Sequence, residues 1–283
     1  MPLTEYQKQN LQKNLDKCDA ALVDKPMLAT IYDDVWRQKL RKKVDSLNPS
    51  VYSVPIFGHL FPSCYQSRLE EGAVILFPKL LKKEKNHLIK RMRDGIPSAE
   101  EELLLARGFA QEFGSENIKV PSDEPSSKRT EFVVSINGHT IGIETTGLLD
   151  PVHVRLLRKC AQLVGQNYYI SDVDTTDIDL KRVERRIKKK IKQAAVAGSG
   201  IIVFNQYTAW PVPDQTIDLI SRIVIEPQAC CLLAIAYVYD RLIQGVWFNS
   251  SAMNSSNIGK DLCERLKQAI KNSFYPCADG ILF

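Results

Sequence analysis

Two glutamates at the outer ends of a predicted β-hairpin have the residue type and spacing for metal chemistry. The segment KRTEFVVSINGHTIGIETT holds two apolar runs joined by Asn137-Gly138, a dipeptide typical of a two-residue hairpin turn. In the register that this turn sets, Glu131 and Glu144 are direct cross-strand neighbours with Cβ atoms roughly 5 Å apart. Like charges at this distance repel, and a shared cation would offset the repulsion. Carboxylate oxygens are hard ligands that suit Mg²⁺ or Mn²⁺.

The same hairpin has an apolar face that opposes slippage of this register, because a shift by one residue would turn that face to water. Its residues are Phe132, Val134, Ile136, Ile141 and Ile143. The alternative to a metal site is a solvated strand face on which water screens two glutamates. Taken alone, the pair favours this alternative.

A helix predicted just before the hairpin, SAEEELLLARGFAQEFG, supplies a third carboxylate. At about 100° per residue, Glu102 shares a face with Phe109 and Phe113, the stripe expected to pack against the sheet. Ser98 and Glu101 fit a capping box, which assigns Glu101 to the helix start. The alternative for Glu102 is that it reaches water from the first turn, where the helix dipole favours an acid.

The basic run VERRIKKKIKQ in a later predicted helix offers a cation for the same site. The buried stripe of that helix is predicted at Val183, Ile187, Ile191 and Ala194. Lys190 lies nearest to the stripe, Lys188 farther from it and Lys189 nearly opposite, while Gln193 has a supporting position. An ammonium group there could stabilise developing charge on a phosphate or orient a water molecule. The alternative is a solvated basic face or a nuclear-targeting tract.

The elements that must position these side chains follow two different patterns along the chain. Residues 1–97 are predicted to form a helical region, with 17 basic against 11 acidic residues. From 98 to 283, helices alternate with buried strand-like runs such as GIIVFNQY and CLLAIAYVYD, which predicts an α/β core with a mixed sheet covered by helices. A short helix is predicted near 151–164. The hairpin is expected to pair with the strands at 201–207 and 231–239.

Four consecutive features resemble the core of the PD-(D/E)XK nuclease superfamily, over roughly residues 98–207. They are a helix with an inward glutamate, a strand reading KRTEF, the Asn-Gly turn and a strand ending IGIETT. The resemblance implies a restriction-endonuclease-like fold and a metal-dependent phosphodiesterase. In that family the strand acids hold magnesium, and a lysine two residues after the second acid assists the attacking water.

Carried onto this chain, the resemblance assigns metal ligands and catalytic residues. Glu131 and Glu144 become the strand acids, Glu102 the helix acid, and the Thr145 carbonyl an extra ligand. The sequence departs from the family pattern at two positions: Glu131 stands where the family usually has Asp, and Thr146 stands where it has the lysine. Divergent members are similar in having a threonine there and taking the lysine from the next helix, which on this chain implies Lys190.

The function that the resemblance implies is hydrolysis of phosphodiester bonds in nucleic acid by an endonuclease that uses Mg²⁺ or Mn²⁺. DNA is favoured over RNA as the substrate. The basic excess of residues 1–97 would help to hold a polyanion. The alternative is a catalytically inactive nuclease-like module that binds nucleic acid or protein, which the departures at Glu131 and Thr146 allow. The sequence leaves open whether the chain forms a homo-oligomer or binds a partner subunit.

Composition excludes several other classes of protein. With 44% apolar and 25% charged residues among 283, the chain matches a soluble globular protein. Its longest apolar stretch, 229–239, is too short to cross a bilayer as a helix, and its polar amino terminus lacks the apolar segment of a signal peptide. Seven cysteines without a CxxC or zinc-like spacing are expected to be reduced thiols in the cytoplasm. The phosphate-loop, Rossmann, nucleophile-elbow and HExxH motifs are absent from the sequence.

Overall fold

The computed structural model describes residues 5–43, 63–93, 96–121, 130–148, 176–194, 198–206, 213–239 and 242–274. Within these residues the helices are α1 (Glu5–Leu22), α2 (Pro26–Ile31), α3 (Asp34–Lys43), α4 (Ser63–Leu76), α5 (Lys82–Arg93), α6 (Pro97–Phe113), α7 (Thr176–Ala194), α8 (Pro213–Ile223), α9 (Ser250–Ser255) and α10 (Lys260–Phe274). The strands are β1 (Ile118–Lys119), β2 (Phe132–Ile136), β3 (His139–Leu148), β4 (Ser199–Gln206), β5 (Leu232–Tyr239) and β6 (Leu242–Phe248). The short helix predicted near 151–164 lies outside the described residues.

The six strands form one mixed sheet in the order β1-β2-β3-β4-β5-β6. Strands β3, β4 and β5 are parallel, and the remaining neighbours pair antiparallel. Parallel neighbours need a crossover connection, and α7 and α8 lie in the two crossovers. The predicted α/β sheet flanked by helices is therefore confirmed. The hairpin pairs directly with β4, as predicted, but its predicted pairing with 231–239 is wrong, because β4 lies between the hairpin and β5.

The β2–β3 hairpin has the predicted register. Phe132 lies opposite Ile143, and the pairing continues to the two turn residues, where Asn137 has a φ of +50° and Gly138 a φ of +83°. A two-residue hairpin turn of this kind needs positive φ at both positions, which asparagine and glycine adopt at little cost. Glu131 directly precedes β2, so continuing this register places it level with Glu144 of β3.

The sheet is covered by helices on both faces. One face packs against α6 and α10, and the apolar cluster there includes Phe109 and Ile143. The other face packs against α7 and α8, and its cluster includes Ile187 and Ile202. Because successive side chains of a strand point to opposite faces, Glu144 lies on the α7 face, opposite to its neighbour Ile143.

The helices of the first third extend the core on the α6 face of the sheet. Leu28 of α2 and Leu69 of α4 belong to the same apolar cluster as Phe132 of β2. Burial in one continuous cluster ties these helices to the sheet. The boundary at residue 97, drawn from a change in sequence pattern, stays a prediction.

Arginines of the basic first third form ion pairs within that region. Arg41 Nη1 lies 2.9 Å from Asp16 Oδ1, and Arg93 Nη2 lies 2.7 Å from Asp33 Oδ2. These pairs use part of the positive charge that the composition offers to a polyanion. Exposed lysines of α5 are Lys82, Lys83 and Lys90.

The predicted capping box at the start of α6 is wrong. The helix begins at Pro97 with Ile96 as its N-cap, and no side chain caps it. Proline suits this position because its missing N–H would have no helical partner and its φ is already set. Ser98 therefore lies inside the first turn, where its Oγ accepts a hydrogen bond from Arg91 Nη2 at 2.7 Å, and Glu101 is 2% exposed.

The two longest helices in the described segments are polar. Helix α7 has 19 residues but contains the basic run, and α1 has 18 residues with charged side chains along its length. Within the described ranges, no helix has both the length and the apolar character that a membrane span needs.

Candidate active site

Glu144 of β3 and Lys190 of α7 form an ion pair at the centre of the candidate site. Lys190 Nζ donates to Glu144 Oε1. The Glu144 side chain is 1% exposed and the Lys190 side chain 24%, so the pair reaches from the interior toward the surface. Helical periodicity accounts for the contact, because Ile187 and Ile191 bury one stripe of α7 and Lys190 flanks that stripe as predicted.

The neighbouring lysines of α7 lie on other parts of the helix surface. Lys188 Nζ is 2.8 Å from Glu184 Oε1 and 3.0 Å from Glu226 Oε2. Lys189 is exposed to solvent. Gln193 is partly buried, and its supporting role stays a prediction.

Glu131 is held by the residue that follows the second strand acid. The backbone N–H of Thr145 donates to Glu131 Oε2 at 2.7 Å, and the Thr145 hydroxyl donates to Glu131 Oε1 at 2.8 Å. Both carboxylate oxygens are therefore oriented by one residue of β3. The expected role of Thr145 as a carbonyl ligand stays a prediction, since the observed contacts use its amide and hydroxyl.

Glu102 points inward from the first turns of α6, as the helical pattern predicts. Its side chain is 9% exposed, and Arg91 Nη1 of α5 donates to its Oε1. Sequence reasoning missed Arg91, although a buried carboxylate calls for a cationic partner and α5 is rich in them. Arg91 also donates to Ser98 and so joins the end of α5 to the start of α6.

Glu102, Glu131 and Glu144, called here the acidic cluster, lie within electrostatic reach of one another. Burial raises the pKa of Glu131 well above its usual value, and the negative charges of Glu102 and Glu144 raise it further. Lys190 and Arg91 act in the opposite direction. Of the four side chains predicted for the site, Lys190 and Glu144 are in direct contact, and Glu102 and Glu131 lie within electrostatic reach of them.

Glu144 has a pKa close to neutrality. Burial raises its pKa from 4.5 to about 7, with a further contribution from Glu102, although Lys190 opposes the change. A carboxyl group of this kind exchanges its proton near physiological pH. Strongly shifted carboxyl groups of this type cluster at functional sites, which is why Glu144 is a candidate catalytic residue.

The fit of the acidic cluster to a metal ion rests on its donor atoms. Glu144 Oε2 is buried and has no hydrogen-bond partner among the residues that the structure describes, which leaves a hard oxygen donor in need of a cation. Within the same residues, no three or more His, Cys, Asp or Glu side chains converge as a preformed metal site. An ion would compete with Lys190 for Glu144 and with Arg91 for Glu102.

Two further polar residues lie buried on the strands beside the cluster. Thr146, at the position where the resemblance expects the lysine, is 7% exposed and shares the α7 face with Glu144. Asn205 of β4 pairs with Gly147 and is 1% exposed, and its two side-chain polar atoms have no hydrogen-bond partner in the described segments. Sequence reasoning missed Asn205, since an asparagine at a strand end gives no sign of being buried.

Comparison of the chain with models of known protein families, with curated proteins and with solved structures found no match. An α/β fold hosts many unrelated activities, so only the chemistry of the acidic cluster and its surroundings bears on function.

Proposed function

We propose that this chain is a metal-dependent nuclease with a restriction-endonuclease-like core, which hydrolyses phosphodiester bonds in nucleic acid and in DNA foremost. The observation that carries the proposal is the ion pair between Glu144 and Lys190, with Glu102 and Glu131 within electrostatic reach of the same pair. These residues come from separate elements and occupy the positions that the PD-(D/E)XK resemblance assigns to catalysis.

The cost of this arrangement supports a functional reading. Burying carboxylates close to one another is unfavourable, because each loses hydration and repels the next. Apolar side chains at Glu102 and Glu144 would suit a purely structural role better. Charged groups kept at such a cost are typical of binding and catalytic sites.

Each residue of the cluster has a role in the proposed reaction. Glu131, Glu144 and Glu102, with the Thr145 carbonyl, would hold Mg²⁺ or Mn²⁺, which when bound neutralises phosphate charge and makes water more acidic. The ammonium group of Lys190 stabilises negative charge that develops on the phosphate.

Three further contributions come from the same side chains and their neighbours. Glu144 accepts a hydrogen bond from Lys190 and so positions its ammonium group. The two hydrogen bonds from Thr145 keep Glu131 in one orientation. Thr146 and Gln193 support the site from the flanks.

The outer surface of α7 favours a polyanionic substrate. Its exposed basic residues are Lys181, Arg185, Arg186 and Lys189. Lys190 lies on the inner side of the same helix, where it contacts Glu144. The exposed lysines of α5 add positive charge from the first third of the chain.

A second candidate function is a nuclease-like module that binds nucleic acid or protein without cleavage. The observation that favours it is that each acid already has a partner: Arg91 for Glu102, Lys190 for Glu144 and Thr145 for Glu131. In this arrangement part of the negative charge is balanced without a metal ion.

A cleavage assay separates the two functions. The protein is incubated with plasmid DNA, single-stranded DNA and RNA, in Mg²⁺ or Mn²⁺ and in EDTA. Metal-dependent cutting that is lost in Glu144→Gln and kept in Glu264→Gln, a change at an exposed position of α10, supports the nuclease. Salt-sensitive binding without cutting supports the binding module. Neither cutting nor binding would contradict both functions.

A further inference from the structure

Two adjacent cysteines face solvent in the turn that leads into β5. The Sγ atoms of Cys230 and Cys231 are 3.7 Å apart, and both residues are exposed. The turn follows a short 3₁₀ helix, Pro227–Ala229. Glu144 lies on β3, two strands away from β5, at the level of Ile235. The cysteine pair, which precedes β5, is therefore separate from the acidic cluster.

The separation of the two sulfur atoms matches the spacing of two thiolates on one tetrahedral ion. Thiolates about 2.3 Å from a tetrahedral zinc ion lie roughly 3.8 Å from each other. The pair therefore meets this requirement without movement of either side chain. Thiolates are soft ligands, which select thiophilic ions such as Zn²⁺ over Mg²⁺.

A disulfide suits the same pair poorly. Consecutive Cα atoms are about 3.8 Å apart across a trans peptide, whereas disulfide-bonded residues usually have Cα atoms at least about 4.4 Å apart. Closing the bond would also bring the sulfur atoms to about 2.05 Å. Binding one metal ion therefore distorts the two adjacent cysteines less than forming a disulfide bond would.

Backbone hydrogen bonds fix the turn that carries the two thiols. The Cys231 carbonyl accepts from the Gly200 N–H of β4 at 3.1 Å, and the Cys230 N–H donates to the Pro227 carbonyl at 3.3 Å. Just before the pair, the Ala229 carbonyl accepts from Asn249 Nδ2 at 2.9 Å. A turn that is already ordered loses little conformational entropy when it binds an ion.

We propose that Cys230 and Cys231 form a bidentate thiolate site for a soft divalent cation of the zinc type. Both thiols lose their protons to solvent on binding, and water fills the remaining coordination positions. The hydrogen bond with Cys230 and partial burial raise the pKa of Cys231, so the affinity increases with pH. Two protein ligands give an exchangeable site rather than a closed structural one.

The test uses the full-length reduced protein and Cd²⁺ as the probe, because cadmium bound to thiolate gives a charge-transfer absorption in the ultraviolet. The absorption is followed during titration of the wild type, Cys230→Ser, Cys231→Ser and the control Cys263→Ser, in which the changed cysteine is buried. Zn²⁺ is then added as a competitor. Ions held by the acidic cluster do not give this absorption, since carboxylates lack sulfur.

The expected result is a thiolate absorption that saturates at one equivalent in the wild type and in Cys263→Ser, and that Zn²⁺ reverses. Each of Cys230→Ser and Cys231→Ser should weaken binding by at least about tenfold, since even residues behind a ligand contribute that much. The proposal is overturned if the wild type gives no such absorption, or if either serine variant binds as tightly as the wild type. Conversion of the pair to a disulfide without any Cd²⁺ binding would overturn it as well.

Discussion

Thr145 donates two hydrogen bonds to the carboxylate of Glu131, one from its backbone N–H and one from its hydroxyl, at 2.7 and 2.8 Å. Thr145 directly follows Glu144, so one dipeptide of β3 supplies one acid of the cluster and orients another. Both oxygen atoms of the Glu131 side chain are thus oriented by Thr145. The geometry of the acidic cluster therefore depends on the register between the two strands of the hairpin.

The free energy of unfolding should fall as the pH rises through the acidic range. Glu144 has a pKa of about 7 in the folded protein and an ordinary value of 4.5, so between these values the folded state holds more protons than the unfolded state. Stability is then lost with rising pH, by on the order of 3 kcal/mol. Urea unfolding at about pH 5 and about pH 8 measures this loss. Glu144→Gln should reduce the pH dependence, with Glu131 contributing the remainder in the same direction. Glu264→Gln should keep it in full, and an equal slope in both variants would contradict the assignment.

Mg²⁺ or Mn²⁺ should stabilise the folded protein more at pH 8 than at pH 6. An ion that binds the folded state alone adds about 2.7 kcal/mol at a concentration one hundred times its Kd, and carboxyl groups must be deprotonated to bind it. Thermal unfolding with and without the ion, at constant ionic strength, gives the measurement. A shift of the same size in Glu144→Gln would mean that the ion binds outside the acidic cluster.

Removing Lys190 should slow catalysis more than it weakens substrate binding. Lys190→Met takes away a positive charge held beside the reacting phosphate, and loss of one such group commonly costs about a hundredfold or more in kcat. The KM should change only a few-fold. Lys189→Met is the matched control, because that lysine is exposed one residue earlier on the same helix. Equal kcat values for the two variants would argue against a catalytic role.

Arg91 should matter for stability through Glu102. Arg91→Met leaves a carboxylate that is 9% exposed without its cation, which should lower the free energy of unfolding by about 3 kcal/mol. The double variant Arg91→Met/Glu102→Gln should regain most of this loss, because no buried charge then remains. Lys90→Met, at an exposed position next to Arg91, should have little effect. Urea unfolding gives the free energy of unfolding of the four proteins. A double variant no more stable than Arg91→Met would contradict this role of Arg91.

The exposed basic residues of α7 should determine how nucleic-acid binding depends on salt. Replacing Lys181, Arg185 and Lys189 with glutamine should weaken binding and flatten the plot of log K against log salt by about 0.9 for each lost phosphate contact. The control is Lys260→Gln at the exposed start of α10. Binding isotherms at several salt concentrations give the slope. A slope unchanged in the triple variant would place the nucleic acid elsewhere on the molecule.

Local sequence patterns predicted much of this site. The hairpin register could be predicted from the Asn137-Gly138 turn and the alternating apolar residues. A two-residue turn sets one strand pairing, and a shift by one residue would expose the apolar face. Helical periodicity predicted that Lys190, rather than its neighbours, lies beside the buried stripe of α7, and that Glu102 points inward from α6. All of these inferences need residues close together in sequence.

Features that depend on contacts between distant elements could not be predicted in this way. Arg91 reaches Glu102 only because α5 packs beside α6, and no local pattern specifies that packing. The capping box failed because the helix already begins at Pro97, and its N-cap, Ile96, lies two residues before Ser98.

The bond between Arg91 and Glu102 bears on how such a protein can evolve. An arginine from the basic first third neutralises an acid of the α/β core, so exchange of either region by recombination would leave one charge without its partner. Evolution should therefore keep the two regions together, because exchanging one of them alone would break the Arg91–Glu102 ion pair. A lineage could vary the surface lysines of α5 freely, while Arg91 and Glu102 would have to change in step.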